Sequence, residues 1–141
     1  LFHGKKNRSY YVFISSKVNI EGEDFSVDEI PPDVLIGWLG HELGHIVDYR
    51  NRSALGLMIF GVRYVTSENY IRSAERVADT YAVERGMGDY ILKTKNFILN
   101  HTHLSESYKN RIKRLYLSPE EIVVLVNDLK KEEDKNVEDG G

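Results

Sequence analysis

Cysteine is absent from this chain of 141 residues. A disulfide framework, a thiolate zinc knuckle and a thiol nucleophile are therefore excluded, and any metal must be held by histidine and carboxylate. Long apolar runs are missing as well. The longest, Ala54 to Val62, ends at Arg63 and falls far short of the roughly 20 apolar residues a membrane span needs, so no transmembrane segment is expected. Basic residues are not in excess: 19 Lys and Arg stand against 22 Asp and Glu, a formal charge of −3 that leaves no face-wide positive surface for nucleic acid. There is no internal repeat. What the sequence does contain is five histidines, two of them one helical turn apart.

With 41% hydrophobic and 29% charged residues, the length suits one domain with a single core, taken as residues 1–130. From Lys131 the chain is charged and ends in two glycines, and residues 131–141 are expected to be a disordered tail. Leu1 rather than methionine stands first, which is compatible with removal of an upstream segment. The compartment stays open, a cytoplasmic setting being favoured over a secreted or periplasmic one.

Tyr10-Tyr11-Val12-Phe13-Ile14 is aromatic and β-branched and reads as a strand. Lys17–Ile20 and Asp24–Val27 flank Glu21-Gly22-Glu23 and suit a short hairpin. Pro31-Pro32 opens a helix that the spacing Leu35, Leu39, Leu43, Ile46 carries to about Tyr49. Ala54 to Val62 is expected to be one or two helical turns packed over the core, favoured over the alternative that the segment rests on a membrane surface or a partner. Ser67 caps a second helix through Ala74, Ala78 and Tyr81 to Arg85, stopped by Gly86. Further helices are predicted over Tyr90–Asn100 and, from the Ser118-Pro119-Glu120-Glu121 start, over Ile122–Lys130.

The first helix carries His41-Glu42-Leu43-Gly44-His45. Residues four apart lie about 40° apart around a helix and about 6 Å along it, so both imidazoles can reach one ion. Glu42 flanks the pair, where a carboxylate can exchange a proton with water held by that ion without itself becoming a ligand. A catalytic zinc takes three protein ligands and keeps one open position. Glu75 and Asp79 repeat the i, i+4 spacing on the second helix; Glu75 is the candidate third ligand. Asp79 is the candidate partner for the outer ring nitrogen of a ligating histidine, most plausibly His41. Gly37, Gly40 and Gly44 on one helix, and Ala74, Ala78 and Ala82 on the other, are small-residue stripes that let two backbones approach.

Leu39-Gly40-His41-Glu42-Leu43-Gly44-His45 and Glu75-Arg76-Val77-Ala78-Asp79 resemble the two signatures of the gluzincin metallopeptidases, within them the CAAX-prenyl-protease and HtpX-like family, and most nearly its soluble single-domain relatives, the minigluzincins. The resemblance implies an α+β, zincin-like fold: a short β-sheet, then the active-site helix, the glutamate helix and C-terminal helices. It implies Zn2+ on His41, His45 and Glu75, Glu42 as general base and acid, and Asp79 behind the ligands. That family also has a later histidine and an arginine that steadies the transition state. Thr102-His103 is followed by Leu104 rather than proline, and Arg111 falls about two positions late, so His103 and Arg111 are its candidates by position only. Tyr70 and Tyr81 are further candidate donors.

The function expected is that of a zinc endopeptidase, a hydrolase acting on a peptide or protein bound in extended form along the strand at Tyr10–Ile14. Two alternatives stand beside it: a metallopeptidase of the ImmA/IrrE type acting on a regulatory protein, and a non-catalytic zinc-binding interaction domain. Ala78-Asp79 favours the first family over the ImmA/IrrE type, and the intact Glu42 weighs against a purely structural metal. Oligomeric state is not readable.

Overall fold

Two prolines steer the chain into its central helix. Pro32 occupies the first helical position, where its fixed φ suits the turn and its missing N–H sacrifices no hydrogen bond, and α1 (Pro32–Asn51) follows. The computed structural model describes residues 8–20, 23–101 and 104–139. Before α1 come β1 (Lys17–Ile20) and β2 (Glu23–Ser26), and after it α2 (Ala54–Thr66), α3 (Glu68–Ala82), α4 (Gly88–Asn100), α5 (Glu106–Leu115) and α6 (Pro119–Asp139).

α1 lies against α3 and α4, and the residues it buries explain how closely. Its inner face is Val34, Gly37, Gly40, His41, Gly44, His45 and Asp48, while Leu43 is 51% exposed. The leucine pattern that marks the helix in the sequence is thus not the face it buries. A Cβ on Gly44 would sit 2.1 Å from the Ala78 carbonyl oxygen of α3, and one on Gly37 would sit 2.3 Å from the Tyr90 carbonyl oxygen of α4. Backbone contacts this tight admit glycine only, so the bulky residues are turned to the opposite side. The glycine stripe therefore serves two neighbours, Gly44 facing α3 and Gly37 facing α4.

Serine caps start α2, α3 and α5: Ser53, Ser67 and Ser105 each accept a hydrogen bond from a first-turn amide. Ser118 and Glu121 form the reciprocal pair that opens α6, with the Glu121 amide donating to Ser118 Oγ at 3.2 Å and the Ser118 amide to Glu121 Oε2 at 2.8 Å. Between α3 and α4 the helix is broken at Gly86, whose φ of +80° is open to glycine without strain. The core has two parts. Ala82, Val83, Ile91, Leu117 and Ile122 join α3, α4 and α6, and Ile98, Leu104 and Ile112 join α4 to α5 beneath Trp38.

Several expectations are corrected. The fold is not an α+β, zincin-like domain built on a sheet: the described residues are almost entirely helical, and β-pairing is confined to one antiparallel ladder with Lys17 opposite Ser26 and Ile20 opposite Glu23. Tyr10–Ile14 forms no strand among the described residues, because β-rich composition needs a neighbouring backbone and none pairs with it. That segment instead runs beside α1, tied at one end by Arg8, whose guanidinium donates to the Tyr49 and Arg52 carbonyls at 3.3 and 2.9 Å. Ala54–Val62 is not core either: α2 leans on α3, and Phe60 is the residue it buries. The tail from Lys131 is helical through Asp139, as runs of Lys and Glu are good helix formers once a turn exists to extend.

Candidate metal centre

His41 and His45 project from successive turns of α1, and Glu75 and Asp79 from successive turns of α3. Where the helices touch at Gly44 and Ala78, the four side chains meet. His41 Nε2 lies 3.0 Å and His45 Nε2 3.3 Å from the same Glu75 oxygen, Oε2. All three ligand atoms fall within 4.8 Å of one another. Zinc bonds of about 2.0–2.1 Å in a tetrahedron place neighbouring ligand atoms about 3.3 Å apart, and both histidine-to-carboxylate distances, 3.0 and 3.3 Å, are close to that spacing. The donors, two imidazoles and a carboxylate, suit zinc chemistry in the absence of cysteine.

Behind the ligands lies a buried polar chain. His41 Nδ1 meets Asp79 Oδ1 at 2.9 Å, which leaves Nε2 as the atom turned to the site. Asp79, wholly buried, accepts at Oδ2 from Lys95 Nζ at 2.9 Å and from the Leu117 amide at 3.2 Å. Lys95 is itself buried and its ammonium stands 4.0 Å over the Tyr116 ring. Tyr64, reaching in from α2, donates to the other Glu75 oxygen, Oε1, at 2.5 Å. His45 lacks such an orienting partner: its buried Nδ1 has no hydrogen bond among the described residues, and its ring is held by stacking on Tyr49 at 5.8 Å.

These contacts fix the charges. Burial opposes protonation of His41, but hydrogen bonds to Asp79 and Glu75 outweigh it and raise its pKa from 6.5 to about 9 when no metal competes. Glu75 is held well below the usual carboxylate range: burial pushes it up, and hydrogen bonds from His41, His45 and Tyr64 more than offset this. Asp79 is likewise lowered, against its burial, by His41 and the Lys95 ammonium. Burial depresses Lys95, with Asp79 partly restoring it. Burial and the nearby Glu75 charge raise Tyr64 and Tyr116, so both phenols stay protonated and can donate.

A cavity of about 330 Å³ opens on the three ligands, with Trp38, Tyr49, Tyr108, Ile112 and Tyr116 in its walls. Exposed Glu42 lines it, and also lines a second, mainly apolar groove of about 790 Å³ between α1 and the segment Tyr10–Ser15. Of the residues proposed from sequence, His41, Glu42, His45, Glu75 and Asp79 share this place. Arg111 does not: it is exposed on α5, and Tyr108 and Ile112 are the residues of that helix that reach the cavity. His103 lies outside the described residues. Tyr70 and Tyr81 are elsewhere, the Tyr70 hydroxyl 3.4 Å from Arg52 and the Tyr81 hydroxyl 3.5 Å from Asn51.

Sequence reasoning missed Lys95, Tyr64 and Tyr116. Lys95 had a signal: it falls in helical register with Ile91 and Ile98, a charge on the stripe that α4 buries. The two tyrosines had none, since they reach the site by the packing of α2 and of the turn after α5. Comparison with known proteins returns no matching family model, no matching curated protein and no matching solved structure. The functional reading accordingly rests on the geometry of the site.

Proposed function

We propose that this chain is a zinc-dependent endopeptidase, with His41 Nε2, His45 Nε2 and a Glu75 carboxylate oxygen holding the ion. The observation that carries the reading is the aim of both imidazole Nε2 atoms at one glutamate oxygen, with a free carboxylate, Glu42, beside them at an accessible cavity. Zinc held by three such ligands supplies a water made acidic near neutral pH and a Lewis acid for a carbonyl.

The chain's own groups do the rest. Asp79 fixes the His41 tautomer and ring angle, and Tyr64 fixes the Glu75 carboxylate. Glu42 takes a proton from water and returns it to the departing amine, the transfer expected of a general base and acid. Tyr116 and Tyr108, on the cavity wall, are phenols that could donate to a carbonyl oxygen bound in the cavity. An extended peptide fits the groove along Tyr10–Ser15, which passes Glu42 and His45.

The test is Glu42→Gln. The variant should bind one zinc like the parent, yet lose chelator-sensitive cleavage of an unstructured protein such as casein by about 10²–10⁴-fold. Cleavage at the parental rate by the zinc-loaded variant would refute the reading. Stoichiometric zinc without cleavage in the parent would leave the non-catalytic zinc domain as the better account.

A further inference from the structure

α2 is the most apolar helix in the molecule, and it turns that character outward. Leu55, Met58, Ile59, Val62 and Val65 are 65%, 55%, 45%, 64% and 79% exposed. Their spacing of 3, 1, 3 and 3 places them within an arc of about 120° on one side of the helix. The opposite side, with Phe60 and Tyr64, faces α3 and the metal centre. The face is mainly aliphatic: exposed Thr66 falls within the arc with its hydroxyl donating to the Val62 carbonyl at 2.7 Å, and the aromatic rings that characterise protein interfaces are on the buried side.

The charge around this face is one-sided. α2 contains no acidic residue, and its one charged residue, Arg63, borders the stripe next to Ile59. The carboxylates nearest its two ends are already paired, Asp48 with Arg52 and Glu68 with Arg114. At the end of α1 a groove of about 1120 Å³ is lined by Arg8, Arg50 and Arg85 with no carboxylate among its walls; Arg85 lies 4.0 Å from exposed Glu84, and Arg8 donates to the Tyr49 and Arg52 carbonyls. That groove includes Asn51, three residues before α2 begins, so the two features lie within about 11 Å along the chain.

We propose that α2 and the arginine groove form a membrane-contact surface, the aliphatic stripe lying in the interface of a bilayer and the arginines meeting anionic lipid headgroups. The stripe offers on the order of 500 Å² of apolar surface, a large patch for a monomer and short of the ~800 Å² per partner that a stable dimer buries. Among the described residues no helix is long and apolar enough to cross a membrane, and α2, about 20 Å long, lies on the surface rather than spanning it. A basic border beside an aliphatic face is the pattern of interfacial helices, and it reverses locally the net charge of −3 carried by the whole chain.

The experiment is sedimentation of the full chain with vesicles of phosphatidylcholine alone and of phosphatidylcholine containing about 30 mol% phosphatidylserine. Binding should require the anionic lipid. Met58→Asp with Val62→Asp, and separately Arg50→Glu with Arg85→Glu, should each weaken it at least about tenfold. All four positions are exposed, so melting temperature and zinc stoichiometry should not move, and they serve as the folding controls. Parental binding by either folded variant, or equal binding to both vesicle types, overturns the proposal. So does absence of vesicle binding by the parent; a concentration-dependent dimer that Met58→Asp with Val62→Asp dissolves would then assign the stripe to a second copy of the chain. None of these readouts depends on peptide cleavage.

Discussion

Replacing Lys95 by methionine tests the polar chain behind the ligands without touching a ligand. Lys95 is 5% exposed and Asp79 0%, and 2.9 Å separates the ammonium from Asp79 Oδ2. Methionine keeps most of the stem's packing and removes the charge. Asp79 is then left as a buried carboxylate holding only His41 Nδ1 and the Leu117 amide. Breaking a buried pair from one side costs about 3–5 kcal/mol, and the two surviving hydrogen bonds favour the lower end. At roughly 2 cal/mol/K per residue the unfolding entropy of a chain this size is about 0.3 kcal/mol/K, so a loss of about 3 kcal/mol lowers the melting temperature by about 10 °C.

Calorimetry on the parent, Lys95→Met, Asp79→Asn and the double variant checks this. The double variant removes both charges, and it should be more stable than the sum of the single losses implies, by about 1–3 kcal/mol of coupling. Lys95→Met melting within about 3 °C of the parent, or a cycle that is additive, would show that the buried pair is not what holds Asp79 against His41.

Four other outcomes follow from the same geometry. His41 must shed its proton to bind zinc; with its pKa raised to about 9, zinc binding near pH 7 should release close to one proton, measurable by titration calorimetry in buffers of different ionisation enthalpy. In the metal-free protein the same raised pKa stabilises the fold fully below pH 6.5 and is lost as pH rises through about 9, so the melting temperature should fall across that window and flatten when zinc is present. Gly44→Ala places a Cβ 2.1 Å from the Ala78 carbonyl; the roughly 1 kcal/mol that alanine adds to a helix is outweighed by an overpacking cost of about 1–3 kcal/mol or more, and zinc affinity should drop as α1 and α3 separate. Tyr64→Phe removes the donor to Glu75 Oε1 and should weaken zinc binding about 10–100-fold in a competition assay with a metal-sensing dye, and lower the melting temperature of the metal-free protein by several degrees, since a hydrogen bond to a buried charged group contributes about 1.5–3 kcal/mol.

The parts of the site legible in the sequence are those encoded by one helical turn. His41 and His45, like Glu75 and Asp79, are four apart, and that spacing alone puts each pair on one side of a helix. Which helices meet is not local information, yet the glycines and alanines hinted at it, and Gly44 against Ala78 is the contact that resulted. Lys95 and Tyr64 reach the site through long-range packing, and spacing relative to the motif could not place them. Arg111 fails for the opposite reason: a position inherited from a resemblance carries no guarantee about the angle at which a helix presents it, and α5 turns Tyr108 and Ile112 inward instead. Tyr10–Ile14 forms no strand because strand propensity describes a surface awaiting partners, and among the described residues the one β-ladder joins β1 to β2.

The position of α2 outside the core has a structural consequence for the site. Had Ala54–Val62 been core, Tyr64 would be one apolar neighbour among many. As it stands, α2 rests on α3 through a short ladder of rings, Tyr49 against Phe60 at 5.2 Å and Phe60 against Tyr64 at 5.6 Å and Tyr70 at 5.4 Å, with the Arg52 guanidinium 4.6 Å from the Phe60 ring centre. Tyr49 at one end of that ladder stacks on His45, and Tyr64 at the other holds Glu75. Of the three candidate ligands, Glu75 is therefore held directly by α2, and His45 touches that helix through Tyr49 of its own helix. His41 is anchored instead to the buried pair of Asp79 on α3 and Lys95 on α4, so its orientation follows from the α1, α3 and α4 packing, while that of the Glu75 carboxylate depends on how α2 sits.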